Sequence, residues 1–262
     1  MRGDAGGHEE HVGGTAKARA VIRRGTLVER PAPPNVQALH AHLLGLQERG
    51  FDAPNPVGFT PDGREQLTFV PGDVPVRPFP DWLKTTEALM SIGKLLRRLH
   101  EASADIPFDT GAAWPLDLAD PEAGAAEGIV LCHNDVRPGN VVFRDGSAAA
   151  LIDFDLSAPG RPLWDVAMAA RYWAVLFDPP SAPTRLRVLA DGYGLSPKER
   201  AKLPSVIEQV TESCRAFVAV RVADGDPAYV KSLADQGGWE PWDRLRTWLA
   251  ARRETFTAAL LD

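Results

Sequence analysis

Between Val130 and Asp165 the chain reads VLCHNDVRPGNVVFRDGSAAALIDFDLSAPGRPLWD, and this stretch narrows the choice of fold more than any other. Two short apolar, β-prone runs, Val141-Val142-Phe143 and Ala150-Leu151-Ile152, flank Arg144-Asp145-Gly146-Ser147, a turn sequence that predicts a β-hairpin. Asp135 and Asn140 precede the first strand and Asp153 follows the second, so the hairpin brings their side-chain oxygens to one loop edge. Asn140 and Asp153 are hard oxygen ligands suited to Mg²⁺, which takes one or two protein ligands and completes its shell with water and phosphate. Asp135, not needed by the metal, is placed to take a proton from an incoming hydroxyl. Any one of these residues alone reads as an ordinary turn or cap residue. The spacing of all of them carries the chemistry.

The run His133-Asn134-Asp135-Val136-Arg137-Pro138-Gly139-Asn140 resembles the catalytic loop of the aminoglycoside phosphotransferase and choline kinase-like family, small-molecule relatives of the protein kinases. Leu151-Ile152-Asp153-Phe154-Asp155 is similar to that family's metal-binding segment, and Pro162-Leu163-Trp164-Asp165-Val166-Ala167 to the helix start that follows it. The resemblance implies that Asp135 is the catalytic base, that His133 and Asn140 belong with it to the catalytic set, that Asn140 and Asp153 hold Mg²⁺, and that Asp165 braces the loop. It runs more weakly over most of the chain and does not name the acceptor.

With 262 residues and 44% hydrophobic side chains the chain has material for one large domain or two lobes, and wholesale disorder is excluded. A formal charge of -6, with acidic and basic residues interspersed, leaves no electrostatic footprint for nucleic acid or an anionic membrane, and favours a cationic or neutral partner. Cys132 and Cys214 make no disulfide framework, no apolar run approaches the ~20 residues of a membrane span, and the N-terminus lacks the apolar core of a signal peptide. A cytoplasmic protein is expected.

Residues 1–12 are polar and glycine-rich and read as a disordered tail. Gly13-Gly14-Thr15 then precedes two β-prone runs, Ala20 to Arg23 and Thr26 to Arg30. The resemblance implies that Gly14 lies in a short nucleotide-covering loop, although a flexible tail explains the glycines equally well. Asn35 is positioned to cap a helix whose apolar residues Val36, Leu39, Leu43 and Leu46 recur at helical spacing. Two further strands are expected, Asn55 to Phe59 and Glu65 to Val70. By resemblance Thr68 to Val70 is the hinge where the backbone meets a nucleobase.

One departure from the family pattern concerns the phosphate grip. The family places a lysine, sometimes an arginine, on the strand ending near Pro31, with an acidic partner on the helix. Here that strand carries Glu29 and Arg30, and strand alternation turns them to opposite faces, so Arg30 is the inward candidate. The helix offers His40 and His42 where an acid is sought.

A second part starts near Pro80. Thr85 to Ala102 predicts an amphipathic helix, Trp164 to Leu176 a buried one, and Thr184 to Tyr193, Pro197 to Ala223, Ala228 to Ala234 and Glu240 to Leu261 further helices. Strands belong mostly to the first third. The carboxylates of the C-terminal helices, Glu208, Glu212, Asp226 and Asp243 among them, lie with Trp239 and Trp242 and suit a cation, or else form an ordinary solvated face.

The expected architecture is α+β, a bilobal protein kinase-like fold with a small β-rich N-lobe over residues 13–75 and a larger, mostly helical C-lobe over 76–262. The expected activity is Mg²⁺-dependent transfer of a phosphoryl group from ATP or GTP to a small-molecule hydroxyl acceptor, in drug resistance or metabolism. Arg30, Gly14, Thr68 and Val70 would contact the nucleotide. The alternative is a binding or immunity protein of the same fold with little transfer, motivated by the altered phosphate grip.

Overall fold

The computed structural model describes residues 9–11 and 21–262. Strands β1 (Glu9–His11), β2 (Ile22–Arg24), β3 (Leu27–Pro31), β4 (Pro56–Phe59) and β5 (Arg64–Thr68) form one antiparallel sheet in the order β1-β2-β3-β5-β4. The tail expected to be disordered through residue 12 therefore overlaps β1, which pairs with β2. Helix α1 (Val36–Glu48) crosses this sheet and buries Leu39, Leu43 and Leu46, the periodic residues of its sequence. Asn35 occupies its N-cap position without making the side-chain cap bond.

The remainder is mainly helical. Helix α2 (Thr86–Ala104) starts where the Thr85 hydroxyl accepts from the Ala88 amide at 3.2 Å. It buries Ala88, Leu89, Ile92, Leu95, Leu96 and Leu99, the apolar stripe anticipated from its sequence. Its polar edge supports a hairpin made by β7 (Val141–Arg144) and β8 (Ser147–Leu151), through Ser91 Oγ accepting from the Ala148 amide (2.8 Å) and Arg98 donating to the Ala149 carbonyl (3.1 Å). Asp145 and Gly146 turn the hairpin with φ of 50° and 74°, the left-handed pair such tight turns require. Before it lies β6 (Val130–Cys132), paired antiparallel with β9 (Ala158–Gly160).

On the far side of α2 packs α4 (Ala182–Tyr193), and the two backbones approach too closely for side chains at the crossing. A Cβ on Gly93 would sit 2.5 Å from the Leu189 carbonyl, and one on Gly192 would strike the Met90 carbonyl. Gly93→Ala is therefore expected to separate these helices and lower the thermal unfolding temperature, by several degrees in a chain this size for a typical overpacking cost of about 1–3 kcal/mol. An unchanged temperature would mean that the crossing has room for a side chain.

Helix α3 (Pro162–Ala170) runs into a widened π turn, Arg171–Val175, in which the Leu176 amide reaches the Arg171 carbonyl at 2.9 Å. The sequence predicts one regular helix here, and the structure starts it earlier and ends it in this irregular turn. Helices α5 (Pro197–Ala223), α6 (Pro227–Asp235) and α7 (Glu240–Leu261) complete the chain. Ser196 and Glu199 form a reciprocal capping box at the start of α5. One continuous apolar cluster reaches from Leu39 on α1 to Leu260 on α7. This is the protein kinase-like arrangement, a small strand-rich part followed by a larger helical one. No described helix is long and apolar enough to cross a membrane.

Candidate active site

The loop between β6 and β7 is held from below by Asp165 of α3, which is fully buried. Its Oδ2 accepts from the His133 amide at 2.7 Å and its Oδ1 from the Asn134 amide at 2.8 Å. His100 of α2 adds a third contact, Nε2 to Asp165 Oδ2 at 3.2 Å, and turns its Nδ1 to the Tyr193 hydroxyl at 2.8 Å. The close α2–α4 crossing brings His100 and Tyr193 together, so helix packing fixes the ring that fixes the carboxylate.

His133 points away from solvent and both its ring nitrogens are engaged. Nε2 lies 3.0 Å from the Ile152 carbonyl, an acceptor only, so Nε2 carries the proton. Nδ1 is then free to accept from the Asp135 amide at 3.3 Å. His133 thus ties the loop to the end of the hairpin and holds the Asp135 amide.

Asp135 is the next residue of this loop and is buried. Its Oδ2 accepts from Arg137 Nε at 2.9 Å and from Asn140 Nδ2 at 2.8 Å. Burial nevertheless pushes its pKa above the ordinary carboxylate value, with Asp153 adding to the rise and Arg137 opposing it. Asn140 also donates to the Asp135 carbonyl at 2.9 Å, and its own carbonyl accepts from the Ile152 amide at 3.0 Å. That last bond joins the backbones of Asn140 and Ile152, so the hairpin brings the loop of Asp135 and Asn140 to the start of the segment that carries Asp153. Asp153 adopts a left-handed backbone, φ 65°, a strained conformation of the kind concentrated at functional sites. Its side chain is 40% exposed.

Arg30 of β3 reaches this point from the sheet. Its Nε donates to Glu65 Oε1 at 2.5 Å, and its Nη1 lies 3.2 Å from Asp153 Oδ1 and 2.7 Å from Asp155 Oδ1. Glu65 stands directly opposite Arg30 in the β3–β5 register, with its second oxygen 2.8 Å from His40 Nε2 on α1. An acidic partner for Arg30 is therefore present, on the neighbouring strand rather than on the helix, and the helix contributes His40 behind it. Sequence reasoning missed Glu65 because cross-strand partners 35 positions apart carry no local signature. His42 faces Ser103, and burial lowers its pKa to about 4, so it serves as a neutral core residue. Glu29 turns to the other face of the sheet and bonds Arg24 and Gln66.

The remaining nucleotide candidates divide. Val70 packs with Val142 and Ala150, beside Val74 and Ile152, and forms an apolar shelf next to the hairpin. Thr68 does not join it: its amide and hydroxyl both bond Asn55, at 2.9 Å each, so these groups are committed within the sheet. Gly14 lies outside the described residues.

A protein kinase-like fold with Asp135 and Asn140 on the loop before a hairpin and Asp153 just after it defines the class of this protein. Residues 112–201 match the profile of the Phosphotransferase enzyme family. The chain is 31% identical over 260 residues to the trifolitoxin immunity protein of Rhizobium leguminosarum bv. trifolii, covering 92% of this chain and 94% of that one. A 128-residue stretch is 38% identical to the homoserine kinase of Phenylobacterium zucineum, covering 47% of this chain and 37% of that protein. In fold it is similar to a choline/ethanolamine kinase family protein from Mesorhizobium loti, with a TM-score of 0.64 at 16% identity over 98% of this chain and 94% of that one. The chain belongs to the phosphotransferase enzyme family.

Proposed function

We propose that the protein is a Mg²⁺-dependent phosphotransferase that moves the γ-phosphoryl group of ATP or GTP to a hydroxyl of a small molecule. The observation that supports this most is the joint between the catalytic loop and the segment after the hairpin, where Asp135, Asn140 and Asp153 meet under Arg30. Asn140 uses its Nδ2 on Asp135, which leaves Oδ1, the atom a hard cation takes, as its uncommitted end. With the Asp153 carboxylate this donor set fits Mg²⁺, which when bound neutralises charge on the nucleotide phosphates. Asp135 accepts the proton of the incoming hydroxyl. Arg30, held at Nε by Glu65, offers its fork to phosphate oxygens in exchange for the carboxylate contacts it makes here. The apolar shelf at Val70 receives the nucleobase. In this reading residues 13–75 form the nucleotide-covering lobe and 76–262 the lobe that holds the acceptor.

The test is transfer of labelled γ-phosphate from ATP or GTP, with and without Mg²⁺, to a panel of hydroxylated small molecules. Metal-dependent labelling of an acceptor is the expected result; nucleotide that binds with Mg²⁺ but is never turned over would leave only the second reading. That reading, immunity by binding, is favoured by the full-length relative named an immunity protein. The two separate in sensitive cells: protection by transfer disappears in Asp135→Ala, whereas protection by binding survives it.

Arg30→Ala is expected to weaken nucleotide binding by roughly 10- to 100-fold, the worth of charge-assisted hydrogen bonds to phosphate. Glu29→Ala, on the opposite face, should leave it nearly unchanged. The reverse ranking in a calorimetric titration would move the grip off Arg30.

A further inference from the structure

Glu65 is fully buried, and its two carboxylate oxygens have different partners. Oε1 accepts from Arg30 Nε at 2.5 Å, and Oε2 lies 2.8 Å from Nε2 of His40 on α1. An ionised carboxylate only accepts, so His40 Nε2 carries the proton and donates. A face of the imidazole stacks on Phe59 of β4, with centroids 5.5 Å apart and planes inclined by 28°. His40 is thus fixed at two places, by an edge strand against its ring and by a buried oxygen at its tip.

The bond to His40 decides how much of the Arg30 fork Glu65 can take. A carboxylate with both oxygens free pairs with arginine through two parallel bonds, and such a pair draws in a second guanidinium nitrogen along with Nε. With Oε2 committed to His40, Glu65 meets Arg30 through Nε alone, and the other end of the guanidinium stays turned to the segment after the hairpin. There Nη1 lies 2.7 Å from Asp155 Oδ1 and 3.2 Å from Asp153 Oδ1. The Asp155 side chain is 9% exposed and that of Asp153 40%, so the guanidinium runs from a buried anchor to a carboxylate open to solvent. An incoming anion meets it at that end. Loss of the His40 ring would leave Oε2 buried without a donor, a costly state that a second Arg30 nitrogen relieves by turning toward Glu65.

We propose that His40 is a positioning residue for the phosphate grip: its bond to Oε2 keeps Glu65 on a single nitrogen of Arg30 and leaves the rest of the fork for the nucleotide phosphates. The inference rests on the reading of Arg30 as a phosphate ligand and gives the helix a task in it. The carboxylate stands on β5, and α1 supplies the group that limits its hold.

The experiment is a calorimetric titration of ATP and GTP at fixed Mg²⁺, with adenosine and guanosine as phosphate-free probes. It uses the parent, Arg30→Ala, His40→Leu, His40→Gln and the double variant His40→Leu/Arg30→Ala. His40→Leu is expected to weaken triphosphate binding by roughly 10-fold, the worth of a charge-assisted hydrogen bond, with nucleoside binding unchanged. His40→Gln, whose amide nitrogen reaches about as far as the imidazole Nε2, should restore most of the loss. In the Arg30→Ala background His40→Leu should add nothing, because residues that act through one another are not additive. Should His40→Leu fail to fold, His40→Asn, polar but too short to reach Oε2, carries the same expectation. Triphosphate binding that falls in Arg30→Ala but not in His40→Leu or His40→Asn overturns the proposal and leaves the Arg30 grip standing. Equal losses for triphosphate and nucleoside, or full additivity in the double variant, overturn it as well, since His40 would then only hold the sheet together. Unchanged triphosphate binding in Arg30→Ala removes the grip itself and the proposal with it.

Discussion

Asp135→Ala is expected to lower phosphoryl transfer by roughly 10²–10⁴-fold, the usual contribution of a positioned general base, while Mg²⁺-dependent nucleotide binding stays nearly intact. The division follows from the geometry. Asp135 is bonded by Asn140 and Arg137, whereas Asp153 and Asn140 supply the oxygens that fit a metal. The same assignment has a pH signature. Burial holds the Asp135 pKa above its ordinary value, and only the ionised form can take a proton, so the rate should fall in acid through a limb lying above the ~3.9 of an unperturbed aspartate. A variant that keeps full turnover, or an acid limb at or below the ordinary value, would remove Asp135 from the base role.

The second large effect is on stability. Asp165→Asn keeps the size of the side chain but replaces one acceptor oxygen by a donor, so either the His133 or the Asn134 amide meets an N–H₂ group instead of a carboxylate oxygen. Breaking a fully buried charged network of this kind costs about 3–5 kcal/mol. Burial alone would raise the Asp165 pKa, but the His100 hydrogen bond and charge, together with the hydrogen bond from the His133 amide, outweigh it and leave the folded-state value depressed. The stabilisation is therefore fully present above the ~3.9 of an unfolded aspartate and is lost as pH falls through the lower folded value. Denaturant unfolding of parent and variant should differ most at neutral pH and converge in strong acid. A gap that does not change with pH would mean that the charge of Asp165 is not what holds the loop.

The parts of the site that were legible in the sequence are those fixed by local spacing. Asp135, Asn140 and Asp153 belong to one hairpin, and a hairpin's ends meet whatever surrounds them. Strand alternation alone turned Arg30 inward and Glu29 outward, and the helices from Thr85 onward follow their apolar stripes. The misses depend on which segments meet far from each other in sequence. Glu65 pairs with Arg30 only because β3 and β5 are neighbours in that register, and nothing near Glu65 announces it. Thr68 was given its nucleobase contact by resemblance, and the bonds of its amide and hydroxyl to Asn55, 13 positions away, carry no local signature either. Arg171 was read as part of a regular buried helix, where an arginine is an oddity; the π turn and its aromatic neighbours become visible only when α7 is brought over it.

The central claim, that the Asp-Asn-Asp cluster is a metal–nucleotide transfer centre, is tested most directly by titrating nucleoside triphosphates into the parent, Asp153→Ala and Asp135→Ala with and without Mg²⁺. The parent and Asp135→Ala should bind a triphosphate more tightly with Mg²⁺ than without it, and Asp153→Ala should lose that difference. No Mg²⁺-dependent binding of any triphosphate to the parent at millimolar concentrations, or an Asp153→Ala variant whose metal dependence matches the parent's, would contradict it.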